Sequence, residues 1–148
     1  MTSIDTATLE TPANNAPVKA GPIIAAIRAA FPETLAIYAF GSRINGTAHR
    51  ASDLDLAVLT TGYAKPLQLW ALSSDLAEIT GCAVDLLDMR AASTVMQYQI
   101  LQTGRRLWGQ EPAAGLFECF VLSEKTALDT ARVGLLADVQ QTGKIYGR

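Results

Sequence analysis

Three short runs of β-forming apolar residues, set between segments of helical period, restrict this chain to a small α/β architecture. The runs are Leu35 to Phe40 (LAIYAF), Asp53 to Leu59 (DLDLAVL) and Cys82 to Leu87 (CAVDLL). Each is too short for a buried helix and is bounded by Gly, Ser or Pro, which marks it as a strand. The second run alternates: Leu54, Leu56 and Val58 take one face, and Asp53, Asp55 and Ala57 take the other. Around the runs, Ile23, Ile24, Ile27 and Phe31 recur at helical spacing between Pro22 and Pro32. A second helix opens at Pro66, carries Leu69, Leu72, Leu76 and Ile79 as its apolar stripe, and closes at Gly81. Residues 91–103 form a third helix ended by Gly104, and Arg105 to Trp108 adds an edge strand. From Pro112 a last helix runs to about Gln141, with Phe117, Phe120, Val121, Leu128 and Leu135 on one side. The expected fold class is therefore α/β (α+β): one small mixed sheet backed by helices on one side, with a C-terminal helix over about 112–141.

A length of 148 residues fits one domain. We assign that domain to 22–148, behind a flexible Thr-, Ala-, Asn- and Pro-rich leader over 1–21. Twelve basic against fourteen acidic residues give a net charge of −2, which disfavours avid binding of nucleic acid. No apolar run reaches the roughly 18 residues of a membrane span, and the first residues lack the order of a secretory signal. Cys82 and Cys119 lie in apolar stretches without paired spacing, which reads as buried free thiols in a reducing cytoplasm.

Three features carry chemistry. Gly41-Ser42 follows the first strand directly; the pair reads either as a plain turn or as a cradle for phosphate, because glycine lets a ligand approach backbone N–H groups. Asp53 and Asp55 lie two residues apart on a strand, so their carboxylates share a face about 7 Å apart. That spacing suits one divalent ion or a pair of them better than a solvated face, since Ala57 and Leu59 follow. Asp85 stands alone in an apolar strand and must be paired, metal-bound or protonated. Asp88 reads as the cap of the following helix. Arg43 reads equally as a phosphate contact and as a surface arginine. His49, the one histidine, and Arg50 have weaker claims, and Trp70 and Trp108 read as core side chains rather than platforms for a base.

Joined, these features form Gly-Ser, ten residues, Asp-x-Asp and a later strand aspartate: GSRINGTAHRASDLDLAVL, then VDLLD. This pattern resembles the nucleotidyltransferase superfold that includes DNA polymerase β and kanamycin nucleotidyltransferase. The short length looks like its minimal, MNT-type members, and MQYQILQTGRRLWG looks like the segment after the third aspartate there. The resemblance covers roughly 23–110. It implies that Gly41 and Ser42 hold the triphosphate of ATP, with Arg43 a further candidate for nucleotide binding, and that Asp53, Asp55 and Asp85 bind Mg²⁺, two ions in all. Asp85 would also help deprotonate an acceptor hydroxyl, so that AMP is transferred and pyrophosphate released.

Minimal proteins of this type resemble the antitoxin half of HEPN–MNT toxin–antitoxin modules. The resemblance implies a HEPN-type RNase toxin as partner and a toxin tyrosine as acceptor, in the cytoplasm. Little chain remains after Asp85 for a domain that would hold a small acceptor, and the acidic balance speaks against bulky RNA. Two rivals stay open: a transferase acting on a small, antibiotic-type hydroxyl as a homodimer, and an antitoxin that neutralises by binding alone.

Overall fold

The computed structural model of the chain describes residues 2–3, 8–9, 18–41 and 53–142. In chain order the elements are β1 (Thr2–Ser3), β2 (Thr8–Leu9), β3 (Val18–Lys19), α1 (Ala20–Ala30), β4 (Thr34–Phe40) and β5 (Leu54–Thr60). They continue with α2 (Pro66–Thr80), β6 (Val84–Asp88), α3 (Thr94–Thr103), β7 (Arg105–Gly109) and α4 (Ala113–Thr142). A five-stranded sheet has the order β1-β7-β4-β5-β6, and β2 pairs with β3 apart from it. Neighbours in the main sheet are antiparallel except β5 and β6, which are parallel and joined through α2. A parallel pair needs such a long crossover, and α2 supplies it by carrying the chain back to the start of β6.

Local chemistry explains the boundaries. Pro66 takes the first position of α2, where a missing N–H does no harm. Gly81 closes the helix in the left-handed conformation at φ 75°. Ser93 caps α3, its Oγ accepting from Met96 N at 3.1 Å.

Helices cover both faces of the sheet, not one. Ile37, Leu54, Leu56 and Val58 meet Ile23, Ile24 and Ile27 of α1 and Leu72 and Leu76 of α2. On the opposite face Ala36, Tyr38, Ala57 and Leu59 meet Ile100 of α3 and Phe117 and Val121 of α4. The reason lies in β4 and β5 themselves: beyond Asp55 both faces of β5 are apolar, as in a strand buried on two sides. Each large aliphatic side chain so buried contributes roughly 1.5–3 kcal/mol.

Other expectations need correction. The segment expected as a leader contributes β1, which pairs with β7, so β7 is flanked on both sides and is not an edge. Helix α1 starts at Ala20, which leaves Pro22 in its first turn as expected. Trp108 is core, 3% exposed, with the Arg28 guanidinium 4.2 Å above its ring, but Trp70 is 73% exposed. Cys119 is exposed and Cys82 only half-buried. On α4, Phe117 and Val121 are buried while Phe120, Leu128 and Leu135 are exposed. That helix outruns the sheet, and every side chain from Thr126 to Ala137 is exposed.

The Tyr38 hydroxyl donates to Glu118 Oε2 at 2.8 Å, tying β4 to α4. Arg106 Nη1 donates to Glu111 Oε1 at 2.6 Å and stands 3.4 Å from Glu118 Oε2. Burial, and then the bond to Glu118, push the Tyr38 hydroxyl well above its ordinary value, so it remains a donor. Tyr38→Phe should lower stability by about 1 kcal/mol, because Glu118 keeps Arg106 and some water and is not orphaned. Chemical denaturation of the two proteins measures the difference.

Candidate active site

The catalytic candidates gather where three strands meet at one end of the sheet. β4 finishes there, and β5 and β6 begin there, because β4 runs antiparallel to β5 while β6 runs parallel to it. Register does the rest. Phe40 pairs with Asp55, and Asp55 pairs with Asp85. Paired residues on adjacent strands point to the same face about 5 Å apart. Asp53 precedes Asp55 by two residues, at the mouth of β5.

The three carboxylates differ in setting. Asp53 and Asp85 are exposed, and Asp55 is half-buried between them. Burial, then the negative charge of Asp85, then that of Asp53, raise the Asp55 carboxyl above its ordinary value. The centre therefore resists carrying three negative charges at once. A proton on Asp55 relieves that resistance, and so does a divalent cation.

Gly41 makes room for the cluster. Its φ is +83°, a region L side chains rarely adopt, and a Cβ built there would collide with Asp55 Oδ2. Glycine at 41 is thus required twice over, by the sharp exit from β4 and by the approach of the Asp55 carboxylate. Ser42 and Arg43, expected beside it, lie outside the described residues, as do His49 and Arg50.

Asp88 has a structural task other than a helix cap. It is the last residue of β6, and its carboxylate accepts from Ala64 N at 2.9 Å and from Arg90 N at 3.0 Å. The cap of α3 is Ser93.

Among the described residues, no three His, Cys, Asp or Glu side chains close into a metal cage. The donors nonetheless fit a hard divalent ion. Such an ion needs one or two carboxylates and fills its other positions with water and substrate phosphates.

Sequence reasoning missed the groove beside the cluster. It has a volume of about 560 Å³, lies between α2 and β6, and includes Asp53, Asp85 and Trp70 in its walls. The signal was present: Trp70 sits off the 69/72/76 stripe and faces away from the core.

The comparisons with known proteins agree with the fold. Residues 23–113 match the model of the family described as polymerase beta, nucleotidyltransferase. The protein adenylyltransferase MntA of Shewanella oneidensis is 38% identical over 117 residues, which span 79% of this chain and 84% of that one. A crystal structure of a toxin–antitoxin with AMP-PNP superposes with a TM-score of 0.70 at 37% identity, covering 80% of this chain and 95% of that one. A structure of tri-AMPylated Shewanella oneidensis HEPN toxin in complex with MNT antitoxin gives a TM-score of 0.64 at 33% identity, covering 80% and 93%.

Asp55→Asn should raise the melting temperature of the metal-free protein at pH 7 by roughly 1–3 °C. The sign follows from linkage: the folded state holds the Asp55 proton more tightly than the unfolded chain does. Stability is therefore lost as pH rises from the ordinary carboxylate range through the raised value, and the variant is spared that loss. Calorimetry across that range should show the gap between the two proteins closing as pH falls.

Proposed function

Because the chain belongs to the polymerase beta nucleotidyltransferase family, we propose that it is an antitoxin-type protein adenylyltransferase that moves AMP from ATP to a partner toxin. The acceptor is a hydroxyl, a tyrosine on this reading, of a HEPN-type RNase toxin, and its modification neutralises the toxin. The observation that carries the proposal is the in-register pair Asp55 and Asp85, with Asp53 at the mouth of β5 and the Cβ-free Gly41 alongside. The similarity to MntA and to the toxin–antitoxin structures supports the identity of donor and partner. We assign the activity to one domain, expected over 22–148 and extended in the structure by α1 from Ala20 and by β1, working in the cytoplasm; no helix of the described residues is long and apolar enough to cross a membrane.

The proposed roles follow from position. On this reading Gly41, which carries no Cβ at the end of β4, and Ser42 and Arg43, which follow it in sequence, hold the triphosphate. Asp53, Asp55 and Asp85 would hold Mg²⁺, two ions on this reading, which when bound offset the triphosphate charge and stabilise the attacking and leaving oxygens. Asp85 stands on the outermost strand, open to an incoming acceptor. Its carboxylate oxygen takes the proton of the acceptor hydroxyl. The acceptor oxygen then bonds the α-phosphorus, the bond from that phosphorus to the bridging oxygen breaks, and pyrophosphate leaves. Asp55, half-buried and fixed by pairing on both sides, holds the centre at constant spacing.

Binding without chemistry is the less economical reading, since an antitoxin acting by contact alone has no use for three mutually repelling carboxylates. Co-expression with the toxin-type neighbour should yield a partner heavier by whole AMP units in the intact-mass spectrum. The Asp53→Ala/Asp55→Ala double variant should yield an unmodified partner. An unmodified partner with both forms contradicts the proposal.

A further inference from the structure

We propose that the groove between α2 and β6 is where the protein acceptor docks, with Trp70 as its anchor. This inference rests on the protein-acceptor reading above and locates the surface that delivers the hydroxyl.

Position is the first argument. The groove opens at Asp53 and Asp85, so a chain segment lying in it ends beside the carboxylates. It runs from there along β6 to Pro66 and Trp70 near the start of α2. A volume of about 560 Å³ leaves room for several side chains of a polypeptide segment.

Surface chemistry is the second. Trp70 is 73% exposed, Leu67 79% and Tyr63 75%, three large side chains within eight positions at the start of α2. Of the three, Trp70 lines the groove itself, and an exposed tryptophan is a residue type on which protein interfaces concentrate their binding energy.

Charge is the third. Among the described residues the walls carry no Lys or Arg, and Asp53 and Asp85 are their charged groups. Beyond the carboxylates assigned to the metal, such walls offer a phosphate backbone no cation, and they suit an uncharged or weakly basic polypeptide segment. The sheet adds directionality. β6 is an end strand of the main sheet, partnered there by β5. Its outer edge can therefore align an extended segment by backbone hydrogen bonds, with side chains at alternate positions meeting Trp70.

The test compares wild type with Trp70→Ala in two titrations: Mg²⁺ and a non-hydrolysable ATP analogue, and the purified HEPN-type partner. Partner affinity should fall about 10–30-fold, the usual loss for a central aromatic anchor, while nucleotide affinity stays unchanged. Trp70→Phe should recover most of the partner binding. Unchanged partner affinity overturns the inference. Loss of nucleotide affinity with partner affinity intact also overturns it, and makes Trp70 a platform for the base. Partner binding that depends on Trp70, without AMP transfer by wild type, supports the groove and contradicts the adenylyltransferase reading.

Discussion

The strand register that brings Asp53, Asp55 and Asp85 to one end of the sheet is the constraint on which the site depends. Three carboxylates do not gather at a sheet end spontaneously. Here the strand register imposes it: Asp55 is locked between Phe40 of β4 and Asp85 of β6. Holding it there takes a sheet buried on both faces, with α1 and α2 on one side and α3 and α4 on the other. The repulsion is concentrated on the half-buried middle member, whose carboxyl is raised by burial and by both neighbours. Under the proposed function that tension has a use, because a cation arriving with the triphosphate would release it.

Much of this was legible in the sequence. The Asp-x-Asp alternation, the glycine at the end of a strand and the aspartate in CAVDLL named the cluster before any geometry was known. They were legible because each breaks a local rule: acids are poor strand formers, and an apolar strand carries a charge only for a reason. Local termini were legible too, as Pro66 and Gly81 bound α2 where expected.

What escaped depends on tertiary context. Ala36, Ala57 and Leu59 are small or apolar on the second face of their strands, but only the folded chain reveals that α3 and α4 lie there. Asp88 looked like a helix cap by spacing; its real bonds reach Ala64, 24 positions away. Trp70 looked like core by residue type, although its place off the helix stripe argued otherwise. Periodicity also overextended the packed face of α4, since a helix keeps its pattern where the sheet beneath it has ended, as Leu128 and Leu135 do.

The central claim is that the cluster is a cation site whose apo repulsion is relieved by substrate. A carbon-13 titration of the Asp55 side-chain carboxyl tests it directly, run with and without Mg²⁺ and a non-hydrolysable ATP analogue. The account predicts a carboxyl above the ordinary range in the free protein, falling below that range when metal and nucleotide are bound. A carboxyl that stays raised and unmoved by both ligands would contradict it.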